Sequence, residues 1–223
     1  MDVNMQIALG SINLLLGAII PPMGIKIISL VLILFSTVNI ESRPISYSGG
    51  STLMLLSNRL SDSIYYHYSP TYKYSMGVEF VKNKPLINEY VNFRFTYLLN
   101  RNNTPNSQRN LYMQSGVSSN GLDNFFYGIH GDWETRRLFA GFGIKKTEAK
   151  VLNYKEEFLQ LGFAPYVGAY GDLHTWLMIK TKKNSATDTS TTYPVIKFFK
   201  GNALFEVGYN NSSEWDVHLM YRL

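Results

Sequence analysis

Few residues of this chain could carry out chemistry, and three of them stand close together in the sequence. His67, Ser69 and Glu79 supply a base, a hydroxyl nucleophile and an orienting acid, which are the elements of acyl transfer. Residues two apart share one face of an extended strand, so His67 and Ser69 would point the same way. The chain is therefore a candidate acyl hydrolase, with ordinary polar residues beside the turn at Pro70 as the alternative.

The histidines are the other candidates. Imidazoles near carboxylates can bind a transition metal, yet no two histidines have the spacing of a ligand pair such as His-x-x-x-His. The chain also has no cysteine, which excludes disulfides, zinc–thiolate sites and a cysteine nucleophile. We therefore expect no metal and no cofactor. The histidines are His67, His130, His174 and His218.

The strands that must position these groups are easiest to recognise in residues 215–223. There, large apolar and polar side chains alternate with a period of two. This segment resembles the terminal strand of bacterial outer-membrane β-barrels, which their assembly machinery recognises. The resemblance implies that the apolar residues form an assembly signal and that this machinery is a partner. The last residue departs from the resemblance, because the bacterial signal usually ends in an aromatic. The signal residues are Trp215, Val217, Leu219, Tyr221 and Leu223.

The same alternation recurs along the chain, most clearly in residues 90–99. Val91, Phe93 and Phe95 share one face, and Asn92 and Arg94 share the other. In a soluble sandwich the arginine would face water and the aromatics a core. Aromatics that face lipid around a polar lumen explain the pattern better. A content of 14% aromatic residues at a mean hydropathy of only −0.09 agrees with that arrangement.

Turn-like segments divide the alternating region into about twelve strands, an even number as expected for a bacterial barrel. Ten strands remain an alternative if the weakly alternating segment 52–56 does not pair. We therefore predict an all-β fold, an antiparallel up-and-down transmembrane β-barrel over residues 43–223. Many predicted inward residues are glycine or alanine, which suits a narrow barrel.

Residues 1–42 are predicted to be a hydrophobic extension that ends in a signal peptide. Two apolar runs, 5–20 and 27–40, precede a plausible cleavage site near Ser42. We favour an upstream extension with Met23 as the physiological start. A pair of transmembrane helices is the alternative, although each run is shorter than the ~20 residues that a spanning helix needs.

Polar residues on the predicted inner face should form a lumen network of hydrogen bonds and ion pairs, since an isolated charge there would be costly. The members of this network are Arg94, His130, Asp132, Glu206, His218 and Arg222. Outside the barrel, lysines fall in the three longest predicted outer loops, 82–88, 146–153 and 182–192. Lipid and lipopolysaccharide phosphates are their expected partners. The net charge of +5 is scattered rather than clustered, so we expect no nucleic-acid partner.

Two further resemblances bear on function. The dense segment 164–176, together with Phe199-Lys-Gly201, is similar to a motif of uncharacterised small proteobacterial outer-membrane proteins, which implies no activity. His67-x-Ser69 followed by Glu79 is similar to the pattern of outer-membrane lipid A deacylases, which work at the outer leaflet. The predicted topology instead puts His67 and Ser69 near the periplasmic end.

Three functions follow from the sequence. We favour a barrel of the bacterial outer membrane without identified chemistry, of structural, narrow-pore or surface-interaction type. The first alternative is a lipid A or phospholipid acyl hydrolase that uses His67, Ser69 and Glu79. The second is a soluble periplasmic β-barrel that binds an apolar ligand, which would need inward aromatics and an outward polar face.

Overall fold

The structure, a computed structural model, describes residues 45–85, 87–150, 153–169, 171–211 and 214–223. They form twelve antiparallel strands that close into a barrel in which β1 pairs with β12. The strands are β1 (Gly50–Ser57), β2 (Ser61–Thr71), β3 (Tyr74–Asn83), β4 (Asn88–Asn103), β5 (Ser107–Ser118), β6 (Phe125–Thr135), β7 (Leu138–Glu148), β8 (Tyr154–Phe163), β9 (His174–Asn184), β10 (Thr189–Lys200), β11 (Ala203–Asn210) and β12 (Glu214–Arg222).

The predicted all-β fold of twelve strands is therefore confirmed. The alternative of ten strands is wrong, because residues 52–56 pair with β2 on one side and with β12 on the other. The predicted signal segment, residues 1–42, lies outside the described residues. Within the described part of the chain, no helix has the length and hydrophobicity needed to cross a membrane.

The two ends of the barrel differ in their connections. We call the end that carries Gly50 and Leu223 the lower end, and the opposite one the upper end. The connection between β8 and β9, residues 164–173, is longer than any upper connection and lies at the lower end. Both irregularities in strand pairing, at Tyr68/Thr71 and Leu98/Asn100, also lie near the lower end.

Several strands are longer than predicted, and one predicted loop is correspondingly shorter. Residues 182–192 were expected to be an outer loop, but β9 continues to Asn184 and β10 begins opposite it at Thr189. Threonines on β10 extend the ladder because β-branched side chains favour a pleated strand. Lys182 consequently points into the barrel, where its Nζ lies 2.8 Å from a carboxylate oxygen of Asp216.

Proline in β10 was expected only at a strand start or an edge. Pro194 lies within β10, opposite Ile179 of β9. The β10–β11 ladder begins only at Val195. At Pro194 the strand thus has a ladder on one side only, which is a local edge where a missing N–H is tolerated.

The outer face of the barrel carries large apolar side chains on every strand. Phe93 and Phe80 are each 61% exposed and Ile179 is 60% exposed. Among the described strand residues, charged side chains on this face occur only near the two ends, for example Lys146 above and Arg109 below. We call the uncharged zone between them the apolar belt. Its most exposed members include Leu53, Ile64, Met76, Phe80, Phe93, Met113, Ile129, Phe142, Leu159, Leu161, Ile179 and Ile196.

Inward glycines make room for rings that lie against the wall. Gly116 is directly opposite Phe126, and Gly143 is directly opposite Phe158. A Cβ at either glycine would collide with the facing phenyl ring. Each ring therefore covers the glycine of the neighbouring strand instead of projecting into the lumen, an aromatic–glycine pairing known from β-sheets.

The residues before β1 turn back into the lower end of the barrel. Gly49, at φ +81°, allows the reversal, and the backbone N–H of Ser46 donates to Ser69 Oγ at 2.9 Å. Ile45 is buried against Leu98 and Tyr112, two inward residues of β4 and β5. This segment thus fills part of the lower lumen.

Candidate functional site: the lumen

The barrel encloses a cavity of about 1430 Å³. Residues 58–61 line it at the upper end, and residues 103–108 line it at the lower end. Gly168 and Asp172, from the connection after β8, also line the cavity at its lower end. The cavity therefore runs the length of the barrel and forms its lumen.

The lumen is unevenly filled. On the side of β2 to β5 the inward side chains are packed against one another, and Tyr112, His67 and Ser75 are 0% exposed. On the side of β7 to β12, Phe139, Lys197 and Phe199 are only partly buried and line the cavity. Partly exposed side chains thus border the cavity at β7 and β10, and Glu79, Arg94 and Gln114 of the packed side also contribute to its lining.

Arg94 is the centre of the network on the packed side. Its guanidinium lies 3.0 Å from the Glu79 carboxylate and donates to the Gln114 side-chain oxygen at 3.0 Å. The same group lies 4.4 Å from the ring centroid of Tyr65 and 5.3 Å from that of Phe126. The carboxylate and the two ring faces together stabilise the Arg94 guanidinium, which would otherwise be a poorly solvated charge.

A second network faces the cavity and joins β9 to β12. Lys180 Nζ lies 2.9 Å from a Glu206 carboxylate oxygen and 3.1 Å from one of Asp216. Lys197 lies 3.6 Å from the other Glu206 oxygen. Asp216 also accepts a hydrogen bond of 2.6 Å from the Tyr193 hydroxyl. Three lysines, counting Lys182, thus share two carboxylates, so this network carries a surplus of one positive charge.

The remaining predicted network residues also face inward. Asp132 accepts a hydrogen bond of 2.7 Å from Asn110, and His130 stacks on Tyr112 with ring centroids 4.9 Å apart. His218 is opposite Glu206 in the β11–β12 register. Arg222 is buried at the lower end, opposite Thr52 of β1. All six predicted residues therefore face the interior of the barrel.

The proposed acyl-transfer residues are not assembled into a relay. Ser69 Oγ accepts the N–H of Ser46, and the Glu79 carboxylate is bound by Arg94. Neither ring nitrogen of His67 has a hydrogen-bond partner among the described residues. His67 and Ser69 are both 0% exposed. The geometry gives the acyl-hydrolase hypothesis no support, since that chemistry needs a base bonded to its nucleophile.

Sequence analysis missed Lys180, Lys182 and Tyr193, which organise the second network. Lys180 and Lys182 occupy even-numbered positions of β9, as His174 and Trp176 do, so strand alternation alone could have placed both lysines inside the barrel. Large residues on both faces of β9 concealed that alternation. Trp176 itself is an inward residue, packed against Phe139 with ring centroids 5.9 Å apart.

No group of three or more histidine, aspartate or glutamate residues in the described ranges is arranged to hold a metal ion. A scan against protein-family models finds no matching family, and a search of the curated proteins finds no match. What the barrel does must therefore be argued from its two faces and its lumen.

Proposed function

We propose that this protein is a barrel of the bacterial outer membrane whose lumen is a narrow pore for ions and small polar solutes. The apolar belt carries the proposal. A barrel with charges inside and uncharged, exposed phenyl and branched side chains outside matches the polarity of a bilayer around a wet lumen. A soluble ligand-binding barrel would need the reverse arrangement.

The height of the belt supports the membrane assignment. The outward run Val91–Leu99 extends roughly 27 Å along β4 at ~3.4 Å per residue. A strand tilt of ~40° reduces this to about 20 Å along the barrel axis, near the ~25 Å apolar band of outer-membrane barrels once flanking aromatics are added.

Tyrosine and tryptophan mark both borders of the belt. Near the upper end, Tyr209 and Trp215 pack with ring centroids 4.9 Å apart, and Trp215 is 60% exposed. Near the lower end, exposed rings include Tyr68, Tyr72 and Trp133. Amphipathic rings favour the interface between hydrocarbon and headgroups, which explains an aromatic girdle at each border.

The continuous cavity supports the pore assignment over a purely structural role. Its lining combines the lysine–carboxylate network with Phe139 and Trp176. A passage lined by charges and fixed rings admits hydrated ions and small solutes and excludes larger ones.

We expect the purified barrel to show discrete conductance steps in a planar bilayer. Phe139→Ala should raise the unit conductance, because this ring borders the passage and packs on Trp176 and Lys197, whose Nζ lies 4.3 Å from the ring centroid. Phe163→Ala is the matched control, since Phe163 is 52% exposed on the outer face. Folded barrel that inserts but never conducts would refute the pore and leave membrane insertion standing.

Detergent dependence separates the membrane barrel from the soluble alternative. The protein should partition with membranes and leave them only in detergent. Stable, monodisperse protein in detergent-free buffer would contradict the membrane assignment.

A further inference from the structure

The outer face has a groove in the lower part of the barrel. It crosses the outer face from β4 to β8 toward the lower end and has a volume of about 410 Å³. Leu111, Trp133, Phe142 and Leu159 form its walls. The groove exists because the outward residue between these walls is the small Ala140.

Arg109 places an exposed positive charge at one end of this groove, where the lining also includes Asn110 and Asp132, two inward residues that hydrogen-bond to each other. Arg109 lines it, points outward beside Trp133 in the β5–β6 register, and is exposed. Asn100 lines the same end. Among the described residues, no carboxylate lies within ion-pair distance of Arg109. The exposed pair Arg136 and Arg137 follows in the adjacent hairpin.

We infer that the groove binds an anionic phospholipid, an inference that rests on the proposed membrane location. An acyl chain would lie along Ala140 between Phe142 and Leu159. The phosphate would accept hydrogen bonds from the Arg109 guanidinium and the Asn100 amide. Arginine suits this role because its planar donors match phosphate oxygens and its charge needs no further partner.

The position of the groove decides between a lipid and a second copy of the chain. The groove lies at the border of the apolar belt, beside Trp133. At that depth the acyl chains of a bilayer lipid meet its headgroup. Two copies joined through this face would bring their unpaired Arg109 side chains and adjacent hairpin arginines toward one apolar interface. Like charges there are costly to desolvate, so the charge distribution favours a lipid anion.

Brominated lipids give a direct test because bromine quenches nearby tryptophan. The barrel would be reconstituted in phosphatidylcholine vesicles that contain either brominated phosphatidylglycerol or brominated phosphatidylcholine at the same fraction. The signal of Trp133 is isolated by subtracting the Trp133→Phe variant. We expect an apparent preference of about fivefold for the anionic lipid at Trp133, equivalent to the ~1 kcal/mol that one basic residue contributes near an anionic surface.

Three variants locate the effect. Arg109→Gln should remove the preference, and Ala140→Phe should reduce quenching by filling the groove. Lys73→Gln, which neutralises an exposed cation at the lower end away from the groove, should leave the preference unchanged. Each variant is first shown to be folded by heat-modifiable migration on a gel.

The outcomes separate this site from the proposed function. Equal quenching of Trp133 by both lipids would overturn the lipid site while leaving the membrane barrel in place. No quenching by either lipid would overturn the membrane location, and the site with it. A dimer that disappears with Ala140→Phe would assign the groove to a second copy of the chain and also overturn the inference.

Discussion

Replacing Phe93 by arginine is expected to destabilise the barrel in a bilayer by about 2–4 kcal/mol, the cost of a basic residue at the mid-plane of a barrel's lipid face. Phe93 is 61% exposed and lies among the uncharged outward residues of β4, from Val91 to Leu99. The new guanidinium would have to sit in hydrocarbon or distort the lipid around it. Urea unfolding of the reconstituted barrel measures the change in free energy.

Phe125→Arg is the matched control for depth. Phe125 is also outward, but it begins β6 at the upper border, where it lies opposite Glu148 of β7. The cost should fall to about 0–1 kcal/mol, because basic residues near the interface reach the headgroups. Equal stability of the two variants, or better solubility of Phe93→Arg in plain buffer, would show that the belt faces water.

Glu206→Ala is expected to destabilise the barrel by about 3–5 kcal/mol, the cost of removing one partner from a buried ion pair. Glu206 is buried and holds both Lys180, at 2.9 Å, and Lys197, at 3.6 Å. Without it, Lys180 keeps only Asp216, which Lys182 already shares. The same urea titration measures the loss.

Two comparisons make this second prediction specific. Glu157→Ala removes a partly exposed carboxylate that pairs with Lys155 at 2.6 Å, and it should cost far less stability than Glu206→Ala, because water screens an ion pair at the surface. The double variant Lys180→Met with Glu206→Met should recover much of the stability lost in Glu206→Ala, since a buried pair can often be replaced by apolar groups. A loss of similar size at Glu157 and Glu206 would mean that the lumen network is fully solvated.

The sequence predicted the faces of the barrel well because strand geometry fixes them. Successive side chains point to opposite faces, so the parity of Val91 or Trp215 places a whole strand. Strand ends were harder to predict, because turn residues such as Lys182 and Thr189 can equally extend a ladder. Their pairing depends on the neighbouring strand, which local pattern does not contain.

The contacts between side chains in the lumen could not be predicted from the sequence for a related reason. Parity shows that Arg94 and Glu206 both face inward, but barrel curvature and strand stagger decide which inward groups meet. Glu79 therefore binds Arg94 rather than joining His67 and Ser69. The insertion of Ile45 below Tyr112 also has no periodic signature, because it depends on a single reversal at Gly49.

The phenyl rings that cover inward glycines have a consequence for how the width of this passage can evolve. A single-codon change of Gly143 or Gly116 to alanine would push the opposing ring off the wall and into the lumen, because no room exists for a methyl group beneath it. Such a change alters neither the outward side chains nor the order of the strands. Descendants of this sequence could therefore narrow the lumen in small, separate steps while the outer face of the barrel stays constant.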